Sequence, residues 1–272
     1  MIVIAFDTTT ETLAVAAARG DDWVAHSCNS GLKHATLLAP LIEQVTGELG
    51  VRVAEVDLVA VGIGPGSFTG VRIGVATAKG IAAAGRARLA GICGLDAMAW
   101  DQRHAGGLVV PLIDARKRRF YAACYRDGRR VGPYLDQAPA ALAETVRATA
   151  AAGEPVLLTG PAAAQFAAAL QPAPAEREGA EQLRGDRLGT RRRSRDPAAH
   201  STEQSARTAA AAAAANAGSP GAGWRIDRRP AQVPVLAMLD LAERNLVATP
   251  ADLKPLYLRR SEAELGITAP DR

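Results

Sequence analysis

The chain has 272 residues, of which 48% are hydrophobic and 22% charged, with a formal net charge of +4. That balance suits one large globular domain or two small ones, and it excludes a wholly disordered, collagen-like or fibrous chain. Three widely spaced cysteines, Cys28, Cys93 and Cys124, form no CxxC pair, which argues against a disulfide framework or zinc knuckle and for a reducing compartment.

The opening residues change period from two to 3.6. Ile2, Ile4 and Phe6 alternate up to Asp7, and Leu13-Ala14-Val15-Ala16 follows after Thr8-Thr9-Thr10. Gly20-Asp21-Asp22 then turns the chain into Trp23-Val24-Ala25, which predicts an antiparallel meander. Leu37, Leu38, Leu41, Ile42, Val45 and Leu49 fall at helical spacing over 33–49, with Gly50 as a stop. Residues 56–63 form a β-branched run that suits a buried strand and leads into Gly64-Pro65-Gly66-Ser67-Phe68-Thr69-Gly70. A helix over 71–84, with small residues Gly74, Ala76, Ala78, Gly80 and Ala82, and a strand over 86–92 complete a β-β-β-α-β-α-β order.

The middle of the chain repeats this less cleanly. Residues 108–113 and 119–125 read as strands flanking Asp114-Ala115-Arg116, with Asp127-Gly128 as a hairpin turn. Helices are predicted over 138–151 and over 161–170, where Pro161 takes a favoured first position, and a short strand over 155–159 lies between them. A helix over 233–247 and the segment 253–260 close the pattern. The expected fold class is α/β, with one lobe over 1–104 and a second over 105–170 and 231–264, interrupted by 171–230. The short apolar start is cut off by Asp7 and reads as a strand rather than a targeting segment. The longest low-polarity run, 209–215, is alanine only and far below the roughly 20 residues of a membrane span. No membrane association and a cytoplasmic location are therefore expected.

The interrupting tract holds the excess charge. Of 32 basic and 28 acidic residues in the chain, eleven arginines and seven carboxylates lie between Gln171 and Pro230, which leaves 21 of each sign elsewhere. Only Leu183, Leu188, Trp224 and Ile226 are available to anchor a core there, among Arg191-Arg192-Arg193 and a seven-alanine run. Such a composition predicts a disordered or weakly helical insert. An RNA-binding arm and a reading-frame slip in a GC-rich coding sequence are the alternatives, although no aromatic residues interleave to stack on bases.

Two constellations carry possible chemistry. Asp7, at the end of a buried strand and followed by Thr8 and Thr9, places a carboxylate and hydroxyls where they can hold a metal-bound water and phosphate oxygens, or merely satisfy a turn. Gly64, Gly66 and Ser67, in a glycine-rich turn that opens a helix, offer backbone donors to an anion or simply a tight corner. The turn is neither a Walker loop nor a GxGxxG fingerprint. The four histidines are isolated, without HxxxH or HExxH, so no metal site is predicted. Cys93 reads as core, and no acyl-transfer triad assembles by spacing, so no catalytic residue is assigned.

Taken together, Ile4-Ala5-Phe6-Asp7-Thr8-Thr9, the stretch 34–41, Gly64-Pro65-Gly66-Ser67-Phe68-Thr69-Gly70-Val71-Arg72-Ile73-Gly74, Asp114-Ala115-Arg116 and Pro255-Leu256-Tyr257-Leu258-Arg259-Arg260 resemble the bacterial TsaB (YeaZ) family. The likeness covers 1–126, extends to 170, is absent through the Arg/Ala tract and returns near 253–264. It implies an actin-like fold of the sugar kinase, Hsp70 and actin type, with two βββαβα lobes. It also implies a role in forming N6-threonylcarbamoyladenosine at position 37 of tRNAs that read ANN codons. The implied role is that of a non-catalytic subunit, paired with a TsaD-like paralogue that holds ATP and metal and joined by a TsaE-like ATPase. Contact with tRNA comes through the complex, this chain requires no cofactor of its own, and a homodimer is conceivable when it is alone.

For such a subunit the expected partner surface is a four-helix interface formed by Leu37, Leu38, Leu41, Ile42 and Val45 of the first helix with Arg72, Ile73, Ala76 and Lys79 of the second. Asp7, Thr8, Thr9, Gly64, Gly66 and Ser67 then form either a working nucleotide site or a relic that shapes the cleft. The competing reading is a stand-alone ATPase, kinase or metallopeptidase-like enzyme. A protein that touches RNA directly through the Arg tract is the third.

Overall fold

The computed structural model describes residues 1–29, 33–171, 223–227 and 234–258. The first sheet runs β3-β2-β1-β4-β5 and is built from β1 (Ile2–Asp7), β2 (Thr12–Arg19), β3 (Asp22–Asn29), β4 (Leu58–Gly64) and β5 (Arg88–Cys93). The meander pairs antiparallel, with Ile4 opposite Ala17 and Ala16 opposite Ala25. β4 and β5 then add in parallel, with Ile4 beside Val59 and Ala60 beside Ala90.

Both faces of this sheet are covered. On one side Ile4, Phe6, Leu13, Val15, Val59 and Val61 pack with Leu38, Ile42 and Val45 of α1 (His34–Glu48) and Val71, Val75 and Ala78 of α2 (Phe68–Ala84). The other side is lined by Ala5, Ala14, Ala16, Ala60 and Ala90, which lack bulk and allow a close backbone approach. α3 (Gly94–Asp101), where no element was predicted, lies against this region. Its residues are buried nearly all round, which removes the amphipathic stripe that marks a helix.

The second sheet repeats the strand order of the first. Its path is β10-β7-β6-β11-β12, formed by β6 (Leu108–Asp114), β7 (Phe120–Ala122), β10 (Leu135–Gln137), β11 (Val156–Thr159) and β12 (Trp224–Ile226). A side hairpin of β8 (Tyr125–Arg126) and β9 (Arg129–Arg130) hangs on β6. The strand expected over 119–125 is thus broken between β7 and β8. α4 (Pro139–Thr149) and α5 (Ala163–Ala169) pack on the sheet, where Phe166 meets Phe120 edge-on at 5.2 Å and stacks on Trp224 at 6.5 Å.

Two expectations need correction. Trp224–Ile226, inside the stretch read as an insert, is the edge strand of the second sheet, pairing in parallel with β11. The aromatic anchor Trp224 is buried, and one buried indole on an edge strand needs no surrounding apolar pattern. Residues 172–222, the remainder of that insert, lie outside the described residues, as do 228–233 and 259–272.

The second correction concerns 231–264, assigned from sequence to the second lobe. α6 (Val235–Ala242) instead packs its Val235, Met238 and Leu241 on the alanine face of the first sheet. Val247 N–H donates to Leu89 O, Leu253 is buried in the first core, and Leu256 N–H donates to Ile63 O. The described C-terminal segment therefore closes the first lobe.

Candidate functional site

β1 and β4 run side by side and end together, so the turn after Asp7 meets the turn after Gly64. Asp7 Oδ1 accepts from Thr9 N–H at 2.9 Å and from Thr9 Oγ1–H at 2.9 Å. Burial pushes the Asp7 carboxyl up to about 6, opposed by these two bonds to Thr9. Thr8 Oγ1–H donates to Gly70 O at 2.7 Å, and Ser67 N–H donates to Thr9 O at 2.7 Å. Ser67 caps α2, its Oγ accepting from Gly70 N–H at 3.2 Å.

The glycines serve this contact between turns. A Cβ at Gly66 would overlap Thr9 O, and one at Gly70 would overlap Thr8 O. Six of the residues singled out from sequence, Asp7, Thr8, Thr9, Gly64, Gly66 and Ser67, are indeed brought together. Part of the donor capacity of these turns is already used, however. The N–H groups of Thr9, Ser67 and Gly70 are committed to acceptors within the protein, and Asp7, Thr8 and Thr9 are at most 1% exposed. Among the described residues no group of three His, Cys, Asp or Glu side chains is placed to hold a metal ion.

At the mouth of the same turn the Arg72 guanidinium lies 3.7 Å over the Phe68 ring, and Tyr257 packs beside Phe68 at 5.4 Å. Arg72 Nε–H also donates to Tyr257 OH at 3.3 Å. The C-terminal segment therefore reaches the first turn of α2, a placement with no signal in the sequence beyond an aromatic residue near its end.

The nine residues expected at a partner surface divide. Leu38, Ile42 and Val45 are buried in the chain's own core, a correction to their assignment as interface residues. Leu37 and Leu41 are half-buried at the edge of that core. On α2, Arg72 and Ala76 are exposed and Ile73 and Lys79 are half-buried. The apolar arc of α1 was read as wider than one sheet contact needs, but the helix packs on both β2 and β3, which take up that width.

A polar cluster between the lobes was not foreseen. Asp96 of α3 accepts from the hydroxyls of Tyr125 and Tyr134, and these line a pocket of about 240 Å³ with Arg130, Arg244 and Asn245. Two tyrosines spaced nine residues apart give no sequence signal, although a buried phenol does demand a partner. Cys93 lies below them, with burial pushing its thiol up to about 12, as befits a core residue.

A model of the family described as TsaD, tRNA N6-adenosine threonylcarbamoyltransferase, matches residues 29–222, which is more than half of the chain. The curated relatives it matches include the tRNA threonylcarbamoyladenosine biosynthesis protein TsaB of Bacillus subtilis, 32% identical over 46% of this chain and 56% of that protein. TsaB of Escherichia coli is 33% identical over 46% of this chain and 55% of that protein. The chain belongs to this family, on its TsaB (YeaZ) side.

The chain spans about half the length of these curated TsaB relatives. In structure it superposes on YeaZ from Pseudomonas aeruginosa with a TM-score of 0.63 at 23% identity, covering 94% of this chain and 99% of that one. The fold is thus α/β and is shared with YeaZ, and the two lobes of this chain follow one strand order. Of the five TsaB-like segments identified in the sequence, residues 4–9 and 64–74 hold the two packed turns and residues 114–116 the turn whose Arg116 meets Glu11 from the second lobe. No helix among the described residues is long and apolar enough to cross a membrane.

Proposed function

We propose that this chain is a non-catalytic partner subunit that binds and activates a TsaD-type threonylcarbamoyltransferase in forming N6-threonylcarbamoyladenosine on tRNA. The observation that carries this reading is the committed turn: a chain of this family whose Thr9, Ser67 and Gly70 N–H groups are spent internally has little to offer a nucleotide. ATP and metal then belong to the paralogue, with a TsaE-like ATPase joining the pair. The rival reading, a stand-alone ATPase, kinase or peptidase-like enzyme, needs Asp7 open to solvent.

The partner surface in this reading is the outer side of α2 with the rim of α1: Arg72, Ile73, Ala76 and Lys79, flanked by Leu37 and Leu41. The test is size-exclusion chromatography with light scattering of the chain mixed with its TsaD-type paralogue, followed by a threonylcarbamoyl-transfer assay on the peaks. A one-to-one complex that restores transfer is expected. Ala76→Glu, on the exposed side of α2, should abolish co-elution and leave the thermal midpoint of the chain within about 2 °C of wild type. Retained complex formation by this variant rules the surface out, and ATP turnover by the isolated chain that disappears in Asp7→Ala would favour the enzyme reading.

A further inference from the structure

α3 and the residues that follow α6 belong to the first lobe, and the β8–β9 hairpin with Tyr134 behind it belongs to the second. They meet around the pocket of about 240 Å³ beside Asp96. Its lining carries three formal charges, Asp96 against Arg130 and Arg244. No ion pair joins Asp96 to either arginine among the described residues. Its carboxylate accepts instead from Tyr125 OH and from Tyr134 OH, the latter at 2.8 Å. Opposite charges thus face one space without neutralising each other.

Both arginines are held by the flat face of the guanidinium. Arg130 lies 4.0 Å over the Tyr134 ring and donates one hydrogen bond, to Gly132 O at 2.7 Å. Arg244 lies 4.7 Å over the Trp100 ring and donates none to the described residues. Stacking of this kind fixes the plane of a guanidinium and leaves its fork of N–H donors for a carboxylate.

The acids of the region count as fully as the bases. Asp240 takes Trp100 Nε1–H at 3.3 Å, faces Arg103 at 4.0 Å and is not part of the lining. Asp96 is part of it, and each of its oxygens accepts one phenol hydrogen and keeps a further lone pair. The side-chain oxygen of Asn245 adds an acceptor, its Nδ2–H being donated to Leu241 O at 2.8 Å. A bare anion would suit the two arginines and be repelled by Asp96, and a bare cation would suit Asp96 and be repelled by the arginines. A molecule that carries both charges a few bonds apart meets neither objection. The volume lies below the roughly 300–1,000 Å³ of most ligand pockets, so the molecule is small. Ile92 and Leu241 give the lining an apolar part that suits a short side chain.

We infer that this pocket between the lobes binds a small α-amino acid as its zwitterion, with the carboxylate on Arg130 and Arg244 and the ammonium toward Asp96 and Asn245. The inference uses no residue of α1 or α2 and does not depend on the proposed function.

The test is isothermal titration calorimetry of the full chain with L-threonine, whose side chain offers a methyl to Ile92 and Leu241 and a hydroxyl to the phenol oxygens. Saturable one-site binding with Kd below about 10 mM is expected. 3-Hydroxybutyrate lacks the ammonium and threonine methyl ester lacks the carboxylate charge, so each should bind at least about tenfold more weakly. Arg130 and Arg244 are exposed, so Arg130→Gln and Arg244→Gln should each weaken threonine about tenfold and leave the thermal midpoint of the free chain within about 2 °C of wild type. Asp96→Asn keeps an acceptor for the phenols. It should weaken threonine and strengthen 3-hydroxybutyrate, a reversal that mere loosening between the lobes would not produce.

An absence of saturable binding below about 10 mM threonine overturns the inference. Tighter binding of inorganic phosphate than of threonine, or equal binding of 3-hydroxybutyrate, also overturns it, because the site would then take a bare anion. So does threonine affinity that survives both arginine substitutions unchanged. None of these results bears on complex formation with the paralogue, which tests the proposed function by itself.

Discussion

Asp7 is held at a cost. Its carboxyl is raised from the ordinary 3.8 to about 6 by burial, so the folded protein binds a proton at Asp7 more tightly than the unfolded chain does. The stability linked to that proton is fully present below about pH 3.8 and is lost as pH rises through about 6. At neutral pH the turn therefore carries a charge it would fold better without. Asp7→Asn keeps an acceptor for Thr9 N–H and should stabilise the chain by about 1–2 kcal/mol at pH 7.5, with no gain at pH 4. Denaturant unfolding at the two pH values measures this. An equal effect at both would show that Asp7 does not titrate in this window.

Among elements, α1 and α2 show why a helical pattern identifies a core but not a partner. Leu38 and Ile42 are 1% and 3% exposed, and each meets strands of the first sheet. Leu38→Glu with Ile42→Glu buries two unpaired carboxylates and should unfold the chain, with a loss above about 4 kcal/mol, rather than yield a folded subunit that has lost its partner. Circular dichroism of the double variant decides this, and a native spectrum would move both residues back to the surface. On α2 the small residues were legible, but Ala76 and Gly80 are exposed while Gly74 and Ala78 are buried. The arc of α1 was not legible, because a wide apolar face is equally what packing on several strands at once requires.

The same limit acts on the short strands. In the first lobe each strand has six to eight residues, enough for a period of two to show, and β1, β2, β4 and β5 were read with small errors at their ends. β8 and β9 have two residues each and β7, β10 and β12 have three, which is below any period. The candidate site followed the same rule. Local motifs such as Asp7-Thr8-Thr9 and Gly64-Pro65-Gly66-Ser67 could be read and were brought together. Tyr125, Tyr134 and Asp96 meet only because β8, the segment after β9 and α3 converge, which no local window contains.

At the scale of the whole molecule, the chain folds one lobe, then the other, and returns to the first. α6 presents Met238 and Leu241 to a sheet face made of Ala5, Ala14, Ala16, Ala60 and Ala90, and those small residues are what admit a helix so close. The apolar stripe of α6 tells that it must be buried and is silent on which sheet buries it, so its lobe was misassigned while its existence was not. The alanines carried the missing information, since a sheet face that poor in bulk must obtain its buried surface from whatever covers it.

Met238→Ala tests this arrangement. Met238 is fully buried, so its loss should cost about 2–4 kcal/mol. The location of the effect matters more than its size. With α6 seated on the first sheet, amide hydrogen exchange should quicken in β1 and β4, whose Ala5 and Ala60 lose their cover, while β11 keeps its protection from α5 and Trp224. Faster exchange confined to β6 and β11 would instead place the C-terminal segment on the second lobe. Equal loosening of both sheets would mean that α6 is the strut on which the two lobes unfold together, because it touches α3 at their junction as well as the sheet beneath it.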